Sequence, residues 1–244
     1  MLARQKARAV GKVTAGLLLN DLSEEDLRVI NILPDATVKR CMRELYFPGG
    51  NGLVKKIEGT YPESLLRFHE GWVEFYKNFD IVIDLNDFPL PPYERLILEE
   101  GKEYWSIVAP EGMNPQKAFE IRKKISTVYE ATPVSKIIDV YPRIKVSVIR
   151  AEQNAMGLNS NVSLNKSMEL GFMGTTFTEG CIIDGRVLKD LSIHLDVNGA
   201  TLHTGSRNEG GYVVDSYWCS DEFRVYWCDP YGSYPDLSLR QKQF

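Results

Sequence analysis

The chain is poor in the features that most directly name a function. No uninterrupted apolar run approaches the ~18 residues needed to cross a bilayer, so a helical membrane span is not expected. There is no G-x-S-x-G nucleophile elbow. The four cysteines, Cys41, Cys181, Cys219 and Cys228, form no C-x-x-C pair and show no metal-ligand spacing. So few thiols in 244 residues exclude a disulfide framework and fit small buried side chains in a reducing, intracellular compartment. Charge of one sign is also scarce. With 29 basic and 33 acidic residues the formal net charge is −4, which argues against a surface that binds nucleic acid all over while leaving a local basic patch open.

What is present is an ordinary globular composition, 43% apolar and 25% charged, with enough chain for one large domain or two small ones. The basic start, Arg4, Lys6, Arg8 and Lys12 before Leu17-Leu18-Leu19, has no A-x-A cleavage site after it and is expected as a retained basic helix or arm. Ser23 followed by Glu24-Glu25-Asp26 is a helix start. Val38, Cys41, Met42 and Leu45 mark a helical face, which Pro48-Gly49-Gly50-Asn51-Gly52 ends. From Pro62 to about Asn78, Leu65, Leu66, His69, Trp72, Val73 and Tyr76 recur at helical spacing. The expected organisation is a mainly helical region over 1–78, a mixed region over 79–150, a long polar connection over 151–178 and an antiparallel β-meander over 179–244.

Within the mixed region, Ile81–Leu85 and Leu96–Leu98 are short strand candidates, Asn114-Pro115 caps a helix, and Ile144–Ile149 alternates as a half-buried strand should. One further strand is a candidate at Asn161–Leu164. In the last third, Asp184-Gly185 and Asn198-Gly199 both suit type I′ hairpin turns. They predict a strand over 186–197 and a hairpin over 192–205, with Val197 opposite Ala200, Asp196 opposite Thr201 and His194 opposite His203. Tyr212–Cys219 and Phe223–Cys228 follow as aromatic strands, and Asp229-Pro230-Tyr231-Gly232 as a turn.

That register would gather two of the three histidines with a carboxylate, a set suited to a metal or to general acid–base work. The same residues equally suit the polar side of an amphipathic hairpin, which is the better-supported reading. Asp84 or Asp87 followed by Glu100-Gly101-Lys102 loosely fits the acid and E-x-K pattern of metal-dependent nucleases. Gly49-Gly50-Asn51-Gly52-Leu53-Val54-Lys55-Lys56 has the wrong order for a phosphate loop. Arg4, Lys6, Arg8 and Lys12 could touch nucleic acid or an acidic partner. Tyr212, Tyr217, Trp218, Tyr226, Trp227 and Tyr231 combine apolar area with hydrogen-bonding tips, the chemistry of an interface.

These readings combine into an α+β fold with a helical N-terminal part, a mixed middle and an antiparallel C-terminal sheet. The leading functional expectation is a non-enzymatic assembly protein acting through homo-oligomeric contacts, a virion component being one form of it, with no cofactor. The alternatives are a metal-dependent hydrolase or nuclease, and a monomeric binding module that uses the aromatic sheet.

Overall fold

Residues 60–140, 145–155, 161, 163–169 and 172–243 are described in a computed structural model. The chain divides into two units, Met1–Leu53 with Asn165–Phe172, and Val54–Leu164 with Met173–Phe244. In chain order the elements are α1 (Glu63–Glu70), α2 (Trp72–Lys77), β1 (Tyr104–Val108), α3 (Pro115–Lys123), β2 (Val128–Glu130), β3 (Ile138–Asp139), β4 (Val146–Arg150), α4 (Leu164–Glu169), α5 (Phe177–Leu191), β5 (Ala200–Arg207), β6 (Val213–Cys219), β7 (Glu222–Cys228) and β8 (Leu237–Ser238). Apart from its first residue, α4 belongs to the first unit, and all the others belong to the second. The helices expected before Pro48, the basic arm and the glycine-rich loop at 49–56 lie outside the described residues.

Helices with a six-stranded mixed sheet and a two-stranded antiparallel sheet make an α+β fold, as the sequence predicts. The large sheet runs β2-β7-β6-β5-β3, with β8 also beside β5. Strands β5, β6 and β7 pair antiparallel in succession. Parallel pairing of β2 with β7 and of β8 with β5 makes the sheet mixed. A register shift between His203 and Arg207 interrupts the β5–β6 ladder, and β3 pairs with the end of β5 on its other edge.

The small sheet, β1 with β4, is buried along nearly its whole length. Its sequences Tyr-Trp-Ser-Ile-Val and Val-Ser-Val-Ile are accordingly near-continuous apolar runs, as a strand covered on both faces requires. Buried hydrogen bonds anchor α1 and α2 to it: Trp72 Nε1 donates to the Ser106 carbonyl at 3.1 Å and the Tyr76 hydroxyl donates to the Val108 carbonyl at 2.6 Å. The expected helix from Pro62 to Asn78 is thus two consecutive helices meeting at Gly71. A Cβ there would lie 2.4 Å from Arg186 Nη2, whose guanidinium rests 3.9 Å from the Phe68 ring centre and 4.2 Å from that of Trp72.

The principal correction concerns residues 177–207. The first half of the stretch predicted as a strand over 186–197 is the end of α5, the second half forms no strand, and Asp184-Gly185 lies inside that helix rather than at a hairpin tip. The capping box at its start is complete: Glu179 N donates to Thr176 Oγ1 at 3.2 Å, and Thr176 N donates to Glu179 Oε2 at 2.7 Å. Ser192, with φ of 57°, ends it. No hairpin spans 192–205, because β5 begins only at Ala200 and pairs with β6, β8 and β3. Residues Phe177 through Val187 are all buried, so Glu179, Asp184 and Arg186 are charges carried into the interior, while Asp190 and Ser192 at the end of the helix are exposed.

Smaller corrections share one cause, short apolar stretches that pack without a ladder. Ile81–Leu85 forms no strand and leads into a 3₁₀ turn at Leu85–Asp87. Leu96 and Leu98 are buried against Leu65, Tyr104 and Val148 without strand pairing. Helix α3 starts as expected, with Asn114 Oδ1 accepting from Lys117 N at 2.9 Å, but Val128 and Tyr129 belong to β2. Leu164 opens a helix rather than closing a strand.

Candidate functional site

Strand alternation gives the large sheet two chemically different faces. On β6, Val214, Ser216 and Trp218 pair with Trp227, Val225 and Phe223, and Val214, Val225 and Phe223 are core residues packed with α5 residues such as Phe177 and Cys181. The intervening residues Asp215 and Tyr217 pair with Tyr226 and Arg224 and project from the opposite, outer face.

On the inner face, each buried charge of α5 has an opposite charge beside it. Glu179 receives Lys242 Nζ at 2.9 Å and the Ser147 hydroxyl at 3.3 Å. Asp184 pairs with Arg122, which is fully buried and also lies over the Phe223 ring at 4.6 Å. Burial nonetheless raises the Asp184 carboxyl above its ordinary range, against the pull of Arg122. Arg186 donates to Asp190 at 3.1 Å. The first two pairs are closed to solvent, and Asp190 of the third is exposed.

The predicted histidine cluster is not assembled. His203 is buried, with Nε2 2.8 Å from the Ser216 hydroxyl and Nδ1 3.2 Å from that of Thr175. Desolvation lowers its pKa to about 3, so it remains a neutral hydrogen-bonding core residue. His194 stacks on Trp218 with ring centres 3.8 Å apart. Asp196 does meet Thr201, whose hydroxyl donates to it at 2.6 Å, but through side chains at a loop and not as strand partners. Its other oxygen accepts from Arg240 at 2.8 Å and from Ala155 N at 3.0 Å. No group of three His, Cys, Asp or Glu side chains suited to a metal occurs among the described residues.

The nuclease set is also dispersed. Asp84 accepts from Asn86 N at 2.9 Å as the cap of a turn, and Glu100 and Lys102 flank a surface turn at Gly101, whose φ is 76°. Two of the thiols are unpromising as nucleophiles, since burial pushes Cys181 up and Cys228 up to about 12.

The outer face holds the feature that linear sequence reasoning missed. A groove of about 630 Å³ is walled by β6 and β7, by the loop through Asn198 and Gly199 and by the segment from Asp229 to Leu237. Four of the six predicted interface rings line it: Tyr217 and Tyr226 from the outer-face register, Trp218 and Trp227 from the alternate register, and Tyr234 joins them. Tyr226 lies between Tyr217 and Tyr129, at 5.7 and 5.9 Å between ring centres, making an aromatic row across three strands. Tyr212 supports Trp227 from outside the groove at 4.5 Å, and Tyr231 stands 80% exposed beyond it.

Three carboxylates, Asp215, Asp229 and Asp236, share this groove, and no lysine, arginine or histidine lines it. Asp229 accepts from Tyr231 N at 2.8 Å, which fixes the turn predicted there. Asp215 differs. It is only 7% exposed, yet no hydrogen bond or ion pair reaches its carboxylate among the described residues. Desolvation first, and the neighbouring Asp236 charge second, raise its pKa from 3.8 to about 7. A buried acid near neutrality in a concave aromatic site is a recognised mark of function. No family model matches the chain, and neither a curated protein nor a solved structure matches it.

Proposed function

We propose that this protein is a binding module whose ligand site is the aromatic, acid-lined groove on the outer face of the large sheet. The observation that carries this reading is Asp215, a buried carboxylate left without a partner in a groove whose volume falls within the roughly 300–1,000 Å³ typical of small-molecule sites. An unpaired buried acid is destabilising, and every buried acid on the inner face has been given a cation. An occupant that pairs with Asp215 would account for the difference. The flat faces of Tyr217, Tyr226, Trp227 and Tyr234 supply apolar contact area at low conformational cost, since each ring has only two side-chain torsions to fix.

The test is a titration of tryptophan fluorescence with a panel of saccharides, polyols, amino acids and aliphatic amines. Trp218 and Trp227 line the groove and would report its occupation. The expected result is saturable change with at least one class, lost in Tyr226→Ala. A flat response across the panel would overturn the proposal.

Self-association through the same surface is a second reading, favoured by the exposure of Trp227, Tyr231 and Tyr234 at 47%, 80% and 51%. Homo-oligomeric assembly would then be the function of the aromatic sheet, whether in a virion or elsewhere. Sedimentation velocity distinguishes the two, because assembly predicts a concentration-dependent shift that Trp227→Ala with Tyr231→Ser abolishes. No helix among the described residues is long and apolar enough to cross a membrane.

A further inference from the structure

The charge pattern of the groove narrows what it can hold. An anionic ligand would meet Asp215, Asp229 and Asp236 with no compensating cation in the lining. A purely apolar ligand would seal Asp215 away with no partner at all, the least favourable state for a carboxylate. A neutral polyol could accept some of these contacts but would leave two or more negative charges uncompensated in a site of reduced dielectric. A cation with apolar linkers satisfies both halves of the lining, because ammonium groups pair with carboxylates while the rings attract cations and cover methylenes.

We infer, on the reading that this groove is the ligand site, that its ligand is a short aliphatic polyamine, with one ammonium on Asp215 and others toward Asp236 and Asp229. Asp215 lies on β6 at the floor, opposite Leu202 of β5 and Tyr226 of β7. Asp236 immediately precedes β8 and Asp229 immediately follows β7, so the carboxylates come from three separate parts of the chain around one aromatic surface. Among the described residues no three acids converge closely enough to hold a metal ion, which favours several spaced charges over a single compact cation. Tyr217 and Cys219 on β6, Tyr226 and Cys228 on β7, and Tyr234 are the other titratable groups of the lining, and none of them supplies a cation. The raised pKa of Asp215, caused by desolvation first and by the Asp236 charge second, agrees with this assignment, since a bound ammonium would favour its charged form.

The experiment is isothermal titration of the full chain at pH 8 with spermidine and, separately, with triethylene glycol, an uncharged chain of equal length. Sodium chloride at matched ionic strength serves as the control for non-specific screening. Spermidine is expected to bind at least tenfold more tightly than the glycol. Asp215→Asn and Asp236→Asn are each expected to weaken it about tenfold or more, while circular dichroism shows the fold retained. Equal binding of spermidine and the glycol would overturn the polyamine assignment and leave the groove-binding proposal intact. Spermidine binding that survives both substitutions would place the amine elsewhere and overturn it as well. Absence of spermidine binding overturns it directly, and the groove-binding proposal then stands or falls on its own ligand panel.

Discussion

Ser216 and Asp215 are neighbours on one strand, and they face two differently built environments. Ser216 points inward to His203, in a region where the buried acids Glu179, Asp184 and Asp196 each meet a cation, Lys242, Arg122 and Arg240, although single atoms such as Asp184 Oδ1 and Arg122 Nη2 have no hydrogen-bond partner. Asp215 points outward into a groove where a comparably buried acid meets only a second acid. The inner arrangement is what a fold needs to carry charge through its core. The outer arrangement lowers stability, which a protein tolerates where a site must remain ready for something else. On the proposed reading, the contrast is between polar groups that serve the fold and polar groups that await a ligand.

Breaking the inner pairing should produce the largest effect. Arg122→Ala removes the cation beside Asp184 and the guanidinium over Phe223, and is expected to cost about 3–5 kcal/mol of stability in urea unfolding. Removing the outer charge should do the reverse, and with a defined pH dependence. Below about pH 4 the folded and unfolded chains both carry the Asp215 proton. Above about pH 7 the folded chain must hold a desolvated charge that the unfolded chain exposes to water. Wild-type stability attributable to this group thus falls as pH rises between those limits. Asp215→Asn should stabilise the protein by roughly 4 kcal/mol at pH 8, at about 1.4 kcal/mol per pH unit, with little effect at pH 4. Thermal melts of both proteins across that range measure it.

Two further substitutions sharpen the inner half of the comparison. Gly180→Ala would set a Cβ 2.1 Å from His203 Cε1, and overpacking of this kind is expected to cost about 1–3 kcal/mol at neutral pH. Thr176→Ala removes one half of the capping box of α5 and should cost about 1 kcal/mol. Both are read by the same urea titrations.

How much of this was legible in sequence depended on whether the deciding contacts were local. Strands β6 and β7 lie within a residue of the predicted 212–219 and 223–228, because β-branched and aromatic residues alternate there and a turn follows at Asp229. The cap of α3 was legible in Asn114-Pro115 alone. Helix α5 was concealed by two glycines. Gly180 and Gly185 lower helix propensity and imitate turn chemistry, yet each admits a side chain from another element, His203 in one case and Ile125 with Arg122 in the other. The Thr176-x-x-Glu179 box was a local signal strong enough to have found the helix. The segment Leu237–Gln243 carried no such signal. Its Arg-Gln-Lys-Gln sequence suggests solvent, whereas Arg240 and Lys242 are drawn inward by Asp196 and Glu179.

The candidate site divides along the same line. Its rings could be found from composition, because tyrosine and tryptophan are dense around 212–234. Its acids could not, because Asp215, Asp229 and Asp236 converge only through the pairing of β6 with β7 and of β8 with β5. The cluster expected at His194, Asp196 and His203 failed because the hairpin that would have joined them does not form: His194 stacks on Trp218, His203 bonds Ser216 and Thr175, and only the Asp196–Thr201 contact is made.

The most direct measurement is the titration of the Asp215 carboxyl carbon by NMR, in the free protein and in the presence of spermidine. An acid kept without a partner for a cationic ligand should titrate near pH 7 when free, and its midpoint should fall when the amine is bound. A midpoint at or below the ordinary 3.8 in the free protein, unmoved by spermidine, would show that Asp215 is already satisfied and would remove the distinction between the two faces.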